Sequence, residues 1–308
     1  MPAAPAEPPE IVLRAGDLRA AVSPFGASLR RLWVERPGQR PRDLLWGYSG
    51  AASKKGGQGD VLIPFPGRVA GGTYTFDGRK QELAKNDKDG PNAIHGFVRS
   101  KLWEAGPGAP SSAQFRTRIS SKDNPGYPHD LDVAVGYELL DTGLACAFVV
   151  LNAGEGPAPA GGGFHPYIAT PAGVDATVVR SPATKLVEFE GLLPTGRIVD
   201  VPAELDLRKP RPLGALRLNH CFTGLVPDAD GFARVRVGEV ELWMDGNFPY
   251  LVLYTGDPLG ADARKALAVE PMTCATDAFN HPAWGLRVLQ PGETMQGTWG
   301  IALRPTAP

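Results

Sequence analysis

Three side chains in this sequence could carry out acid–base chemistry together, and each has an unusual local setting. His95 follows apolar residues and precedes Gly96, and a glycine at that place lets a ligand approach the backbone closely. His165 lies between three glycines and a proline in the segment 161–167. Glu270 ends an apolar run, and a carboxylate that closes a buried strand is costly unless it is paired or used. These residue types predict a site for proton transfer.

Each of these residues also has a purely structural interpretation. A lone His beside apolar residues is more often a hydrogen-bonded core or loop residue than a functional one. Glu270 could form an ion pair with Arg264 or Lys265. Composition and spacing alone therefore indicate a candidate His/Glu site and leave both interpretations open.

No metal or cofactor motif accompanies these residues. The chain lacks the His-x-His, HExxH and Cys/His spacings of metal ligands, and it lacks a nucleophile elbow, a Walker loop and a Rossmann fingerprint. Cys146 lies inside an apolar run, and Cys274 is interpreted as a small buried side chain near the site. We therefore expect neither a metal nor a cofactor.

Charge and cysteine content exclude several classes of protein. The formal net charge is -1, which removes the electrostatic basis for nucleic acid or an anionic membrane as the main partner. The chain has no apolar stretch long enough to span a bilayer and no secretory signal at its N-terminus. Its three cysteines show no CxxC spacing, which is typical of reduced thiols. We expect a cytoplasmic protein with no membrane or nucleic-acid partner.

The elements that position these side chains are predicted to be β-strands. Gly (38 residues) and Pro (31 residues) make up more than a fifth of the 308 residues, and frequent Pro leaves little room for long helices. Apolar residues alternate with polar ones in the segments 131–139 and 235–244. Continuous apolar runs at 144–151 and 250–254 fit strands that are covered on both faces.

Many short strands separated by turns favour a mostly antiparallel sandwich or barrel. The composition does not shift along the chain, so we expect a single domain over residues 10–308 after a disordered N-terminal tail at 1–9. Further strands are expected at 11–14, 29–34, 72–76, 115–120, 266–269 and 298–303.

A series of motifs then occurs in an order and at separations that match one known family. The motifs are Pro66–Gly78, Leu83–Asn86, Asn92–Phe97, Gly163–Tyr167, Leu218–Phe222 and Val269–Asn280. Together they resemble the aldose 1-epimerase (galactose mutarotase) family, and the resemblance extends from about residue 10 to residue 303.

The resemblance implies a galactose-mutarotase-like β-sandwich, also called a supersandwich, whose concave face binds a pyranose sugar. In this family the position of Glu270 holds the general base and the position of His165 holds the general acid. The pair would interconvert the α and β anomers of a free hexose, such as glucose or galactose, by acid–base ring opening. This chemistry needs no cofactor and no metal.

The resemblance also implies residues that bind the sugar. The positions of Arg68 and His95 supply side chains that hold it. An Asp usually stands where this chain has Asn219, and Asn keeps an acceptor and adds donors but loses the charge. The preferred sugar therefore stays open. Tyr167 is a further candidate, because aromatic rings stack on the apolar face of a pyranose, although a role in the core fits it equally well.

Two alternative functions stay open. A hexose-6-phosphate 1-epimerase has the same fold and acid–base pair, but it needs cationic groups for the phosphate. The candidates for that role, each also explained as a surface charge, are Arg30, Arg31, Arg79 and Arg99. The second alternative is a carbohydrate-binding protein without catalysis, since a fold does not fix a function. In every case the expected partner is a monosaccharide, and the expected assembly is a monomer or a homodimer.

Overall fold

The computed structural model describes residues 8–50 and 53–304, and these ranges fold almost entirely into β-strands. The predicted all-β class is confirmed. Helical structure in these ranges is limited to short 3-10 turns, among them Ala70–Gly72, Ala203–Leu205 and Gly260–Asp262. Residues 1–7 of the predicted N-terminal tail lie outside the described residues.

The described ranges contain 27 strands. In chain order they are β1 (Ile11–Ala15), β2 (Leu18–Ser23), β3 (Ser28–Val34), β4 (Arg42–Asp43), β5 (Val61–Leu62), β6 (Arg68–Val69), β7 (Thr73–Phe76), β8 (Arg79–Glu82), β9 (Ala93–Ile94), β10 (Glu104–Ala105), β11 (Ser112–Ile119), β12 (Leu131–Leu140), β13 (Gly143–Asn152), β14 (Ala158–Ala160), β15 (Gly163–Phe164), β16 (Tyr167–Ala169), β17 (Val178–Arg180), β18 (Ala183–Glu190), β19 (Leu193–Asp200), β20 (Arg211–Pro212), β21 (Asn219–Leu225), β22 (Ala233–Val237), β23 (Val240–Met244), β24 (Tyr250–Tyr254), β25 (Ala266–Met272), β26 (Arg287–Leu289) and β27 (Thr294–Leu303).

Two large sheets dominate the fold. One has nine strands in the order β10-β11-β12-β13-β27-β23-β22-β17-β20. The other has eight strands, with the order β19-β18-β21-β24-β25-β15-β5 and with β16 paired to β25. Their strand pairs are antiparallel, as predicted. A four-stranded sheet, β1-β2-β3-β4, and the ribbons β6-β9, β7-β8 and β14-β26 complete the described fold.

The predicted alternation of side chains is visible in the nine-stranded sheet. In β12 the odd-numbered positions from Leu131 to Leu139 are buried, while the even-numbered positions are partly or fully exposed. The segment 235–244 forms the hairpin of β22 and β23, in which Val237 pairs with Val240 across the turn. Both segments therefore turn one apolar face toward the core.

An aromatic cluster joins the two large sheets. Phe164 of β15 packs against Phe148 of β13 and Trp299 of β27, with ring centroids 5.7 and 5.2 Å apart. Phe248 completes the cluster, and all four side chains are buried. Neighbouring residues of an extended chain point to opposite sides. Because Phe164 points into the core, the next residue, His165, points to the other side of the eight-stranded sheet.

The register of the eight-stranded sheet determines which residues share the face toward which His165 points. Cys221 of β21 lies opposite Val252 of β24, which lies opposite Glu270 of β25. Residues directly opposite one another in an antiparallel pair share a face. Asn219 and Tyr254 form the next row, two residues along their strands, so they share it as well. The sheet thus presents Glu270 and Asn219 on one surface.

The ribbon β6-β9 adds two further side chains beside this surface. Arg68 lies opposite Ile94 in the ribbon, and His95 follows directly. The backbone N–H of His95 donates to the carbonyl of Gly67 at 2.9 Å, which closes the end of the ribbon. The ribbon thereby fixes Arg68 and His95 next to each other.

We expect Phe164→Ala to lower the free energy of unfolding by about 3–5 kcal/mol, because it removes a buried ring and leaves a cavity between the sheets. Urea unfolding followed by tryptophan fluorescence measures the change. Val288→Ala, at an exposed position of β26, is the control and should alter the free energy by less than about 0.5 kcal/mol. Equal effects of the two substitutions would mean that the aromatic cluster does not hold the sheets together.

Candidate active site

Glu270 and His165 meet inside the molecule although they lie far apart in the sequence. Glu270 belongs to β25, and His165 lies in the short connection between β15 and β16. The Nε2 atom of His165 is 3.3 Å from Oε1 of Glu270, and each side chain is only 5% exposed. The structure therefore brings together the two residues that the resemblance implies as acid and base.

Backbone hydrogen bonds and the ring of Tyr167 hold His165 in place. The backbone N–H of His165 donates to the carbonyl of Asp60 at 3.0 Å, and the backbone carbonyl of His165 accepts from the N–H of Gly59 at 3.0 Å. Its imidazole stacks on the ring of Tyr167, with centroids 4.9 Å apart and planes at 15°. Gly57 leaves room for the imidazole, since a Cβ at that position would lie 3.0 Å from Cδ2 of His165. The orientation of the ring is thus set from three sides.

Burial moves the pKa values of the pair in opposite directions. It raises the pKa of Glu270 well above its usual range, and the charge of Arg68 opposes this effect. Burial, together with the smaller effects of the positive charges of Arg99 and Lys54, lowers the pKa of His165 to about 3. Both shifts favour the uncharged forms, a carboxylic acid beside a neutral imidazole.

His95 is a neutral hydrogen-bond donor next to the pair. Burial lowers its pKa well below the usual range, and the charges of His165, Arg99 and Arg68 act in the same direction. Its Nδ1 atom accepts the N–H of Gly67 at 3.2 Å, so the proton of the neutral ring sits on Nε2. The rings of His95 and His165 meet edge to face at 5.5 Å. A ligand at this place can accept a hydrogen bond from His95.

Arg68 is held by a carboxylate that the sequence analysis missed. Its Nε atom donates to Oδ2 of Asp87 at 2.7 Å, and Asn92 donates to the same oxygen at 3.0 Å. Burial alone would raise the pKa of Asp87, but the hydrogen bonds from Arg68 and Asn92 outweigh it and hold the pKa below its usual value. Asp87 stands in a turn-rich segment without periodicity, so no sequence signal marks it.

These side chains line one cavity of about 690 Å³. Glu270, His165, Arg68, His95 and Asn219 all border it. Asn219 is an exposed residue at the rim, and its side-chain amide makes no hydrogen bond within the described residues. A volume of this size is typical of small-molecule sites, and it holds a pyranose with space to spare.

Of the two places considered for Tyr167 in the sequence analysis, the structure shows the one in the core. Tyr167 is 1% exposed and does not border the cavity, and its hydroxyl donates to the carbonyl of Gly56 at 2.8 Å. It supports the imidazole of His165 from behind instead of offering a surface to a sugar. Tyr254 is the tyrosine that borders the cavity, on the same sheet face as Asn219.

A second buried carboxylate was also missed. Asp60 has a side chain that is 3% exposed, and it contacts Nζ of Lys54 and Nη1 of Arg99, the latter at 3.4 Å. We call these three residues the Asp60 cluster, and all of them border the cavity. Asp60 precedes the buried strand β5, so the signal that drew attention to Glu270, a carboxylate next to an apolar run, could have found it.

Of the four arginines considered for a phosphate, only Arg99 borders the cavity. Arg30 forms an ion pair with Glu10, Arg31 pairs with Asp43, and Arg79 is an exposed residue of β8. Within residues 8–50 and 53–304 no group of three or more His, Cys, Asp and Glu side chains is arranged to hold a metal ion. No helix in the same ranges is long and apolar enough to cross a membrane.

Comparison with known sequences links the chain to one family. The family model described as aldose 1-epimerase matches residues 9–302. The galactose mutarotase of Homo sapiens is 30% identical over 317 residues, which cover 91% of this chain and 90% of the human protein. An uncharacterised Escherichia coli protein, YihR, is 27% identical over 288 residues, with 88% of this chain and 85% of YihR covered.

Comparison with solved structures agrees on the fold. A GalM/aldose epimerase homologue from C. elegans superposes with a TM-score of 0.85 at 23% identity, over 97% of this chain and 100% of the other. A putative aldose 1-epimerase from Escherichia coli gives a TM-score of 0.80 at 22% identity, over 97% and 99% of the two chains. The predicted galactose-mutarotase-like sandwich is therefore confirmed. With the family model matched along almost its whole length, the chain belongs to the aldose 1-epimerase family and is an isomerase.

Proposed function

We propose that this protein interconverts the α and β anomers of a free hexose, such as glucose or galactose, in the cavity described above. The observation that carries the proposal is the contact of 3.3 Å between Nε2 of His165 and Oε1 of Glu270. An acid and a base this close can serve two sugar oxygens bonded to the same carbon, which is what opening a hemiacetal requires. The galactose mutarotase of Homo sapiens has this activity by its name.

The proposed reaction moves two protons and returns both. Glu270 as carboxylate takes the proton of the C1 hydroxyl, while His165 as imidazolium gives a proton to the ring oxygen. The bond between C1 and the ring oxygen breaks, and the open-chain aldehyde forms. After rotation about the bond between C1 and C2, the same transfers in reverse close the ring as the other anomer. Each residue ends in its starting state.

Burial favours the ring-opening step itself but disfavours the charged pair from which this step starts. Before it, Glu270 and His165 are charged, and after it both are neutral. The directions of their pKa shifts support this preference for the neutral pair, because desolvation penalises each charge. The two transfers therefore remove two buried charges as the ring opens. The charge of Arg68 lowers the pKa of Glu270 and so increases the fraction of Glu270 that is ionised before the reaction.

The remaining cavity residues are proposed to bind and orient the sugar. Arg68, fixed by Asp87, offers charged donors, and His95 offers its Nε2 proton. Asn219 at the rim has both a donor and an acceptor free within the described residues, so it suits a sugar hydroxyl. Orientation by several fixed groups adds to the effect of the acid and the base.

A hexose 6-phosphate is a second candidate substrate, because Arg99 and Lys54 border the cavity and carry positive charge. Comparison of kcat/KM for glucose and glucose 6-phosphate by polarimetry separates the candidates. A free hexose substrate predicts the higher value for glucose, and a phosphorylated substrate predicts the reverse.

We also propose that residues 10–308 form a single domain in the cytoplasm, acting as a monomer or a homodimer. One large hydrophobic cluster contains residues of both main sheets, which supports a single domain. The three cysteines are buried free thiols, which is typical of a reducing compartment.

We expect Glu270→Gln to reduce kcat by at least about 10²-fold, because the amide cannot take the proton of the C1 hydroxyl. Polarimetry with freshly dissolved α-glucose measures the rate. Titration calorimetry should show that the variant still binds glucose, since Gln has the same shape and can still hydrogen-bond. A variant that keeps the full rate would mean that Glu270 is not the base.

The same variant should become more stable relative to the wild type as the pH rises. The raised pKa of Glu270 means that the native state holds a proton that the unfolded state releases near its ordinary pKa of 4.5. The stabilisation by the protonated carboxyl is fully present below that pH and is lost as the pH rises through the raised pKa. Glu270→Gln lacks this loss, so its melting temperature relative to the wild type should increase toward alkaline pH.

The matched control is Glu138→Gln, which changes an exposed glutamate of β12. Its melting temperature should follow the wild type across the same pH range. A difference between Glu270→Gln and the wild type that stays constant with pH would contradict the raised pKa of Glu270.

We expect Asn219→Ala to raise KM for the hexose by about 5–10-fold, the effect of one lost hydrogen bond, with kcat changed less than about twofold. Initial rates over a range of glucose and galactose concentrations measure both constants. Asn247→Ala, at an exposed turn outside the cavity, is the control and should leave KM unchanged. A large loss of kcat for Asn219→Ala would instead place Asn219 at the reacting atoms.

A further inference from the structure

Asp277, in the loop after β25, is a buried carboxyl group that the proposed reaction does not use. Its side chain is 5% exposed, and among the described residues its ion-pair partner is an imidazole, with Nε2 of His281 at 3.7 Å from Oδ2. Burying a carboxyl group without a close cation is costly. The backbone of Asp277 adds a second cost, because its φ of 63° lies in the left-handed region that most residues avoid. Both costs call for an explanation.

The backbone and the carboxyl group of Asp277 both hold the strand β6. The backbone N–H of Asp277 donates to the carbonyl of Arg68 at 2.8 Å. Its Oδ1 atom accepts the backbone N–H of Ala70 at 2.9 Å. Asn280 donates to the same Oδ1 at 2.8 Å and to the carbonyl of Thr73 at 3.0 Å. Asp277 thus fixes the main chain directly at Arg68 and again two residues further on.

These bonds connect β6 to the chain segment that carries Glu270. Glu270 lies on β25, which ends at Met272, and Asp277 follows in the next loop. The same loop packs against β6 a second time, since a Cβ at Gly67 would collide with the side chain of Thr276. The ribbon β6-β9 is not part of either large sheet, so its place beside Glu270 depends on contacts of this kind.

The side chain of Arg68 has an anchor of its own. Asp87 accepts from Nε at 2.7 Å and from Nη2 at 3.5 Å, and a carboxyl oxygen of Asp89 lies 3.5 Å from Nη2. Nη1 donates to no group within the described residues, so it is the nitrogen left for a ligand in the cavity that Arg68 borders. The place of Nη1 is therefore set at the side chain by Asp87 and at the main chain by Asp277.

We propose that Asp277 is a positioning residue, which fixes β6 against the loop after β25 and thereby places the guanidinium of Arg68 in the cavity with Glu270. The inference rests on the proposed function, in which Arg68 binds the sugar. Groups that hold a substrate act well only when they are fixed in place, and a misplacement of about 1 Å is enough to weaken them strongly. The buried carboxyl group and the left-handed backbone of Asp277 are then the cost of this placement.

The first test compares Asp277 with a matched turn residue. Asp77, with φ of 48°, is exposed and its side chain makes no hydrogen bond within the described residues, so Asp77→Ala has the same backbone strain without lost contacts. We expect Asp277→Ala to weaken glucose binding about 5–10-fold in titration calorimetry. Asp277→Asn keeps Oδ1 and tolerates the left-handed region, so this variant and Asp77→Ala should bind as the wild type does.

The same titrations separate positioning from a purely structural role. A folding defect alone would lower the fraction of protein that binds glucose and leave the Kd of the folded fraction unchanged. Positioning of Arg68 predicts the reverse for Asp277→Ala, a higher Kd at full stoichiometry. An unchanged Kd in this variant would therefore overturn the inference, even if its melting temperature falls.

A double-mutant cycle tests whether Asp277 acts through Arg68. Arg68→Gln provides the background, because the amide nitrogen of Gln takes the place of Nε and can still donate to Asp87, while both terminal nitrogens are lost. We expect Arg68→Gln alone to weaken glucose binding about tenfold. Adding Asp277→Ala to it should weaken binding by less than about twofold more. An equal loss in both backgrounds would contradict the inference.

Crystal structures of the sugar-free variants give a measurement that needs no ligand. In Asp277→Ala the guanidinium of Arg68 should move by about 1 Å or more relative to Glu270, and in Asp77→Ala it should stay in place. An unmoved Arg68 in Asp277→Ala would overturn the inference. Failure of the proposed function is recognised separately, because polarimetry of the wild type would then show no rate above the spontaneous one for any sugar, whether or not Arg68 moves in the variant.

Discussion

A carboxyl group and an imidazole buried in contact can exchange a proton, but both resist carrying charge there. Glu270 and His165 are each 5% exposed and 3.3 Å apart, so desolvation acts on both at once. In water the same pair would stay ionised and would gain little from passing its proton to a sugar. The dry setting favours the neutral forms, which in the proposed reaction are the forms that ring opening produces.

The sandwich buries this pair because neighbouring residues at the end of the short strand β15 point to opposite sides of the sheet. Phe164 enters the aromatic cluster between the sheets, and its neighbour His165 is thereby turned into the cavity. Glu270 reaches the same cavity from β25, which pairs with both β15 and β16 around His165. Packing of the core and the contact between His165 and Glu270 are consequences of the same register, so the position of His165 is fixed by hydrophobic burial as well as by polar contacts.

The sequence analysis was most successful where a local pattern carries the information. Alternating residues predicted β12 and the hairpin of β22 and β23, because one face of each is buried. The strand β19 escaped prediction since none of its eight residues is buried, so no hydrophobic period marks it. Family resemblance singled out Glu270 and His165, and the structure places them in contact.

Other features depend on the folded structure alone. Asp87 and Asp60 hold the cavity's cations, yet their partners are distant in sequence, as Asp60 and Arg99 illustrate. Arg68 opposes the effect of burial on Glu270, and the pKa of Glu270 is nevertheless raised well above its usual range. Arg99 and Lys54 act on the pKa of His165 in the same direction as burial. The cations of the cavity thus oppose burial at one member of the pair and add to it at the other, a difference that arises only when distant segments meet and that no local sequence pattern records.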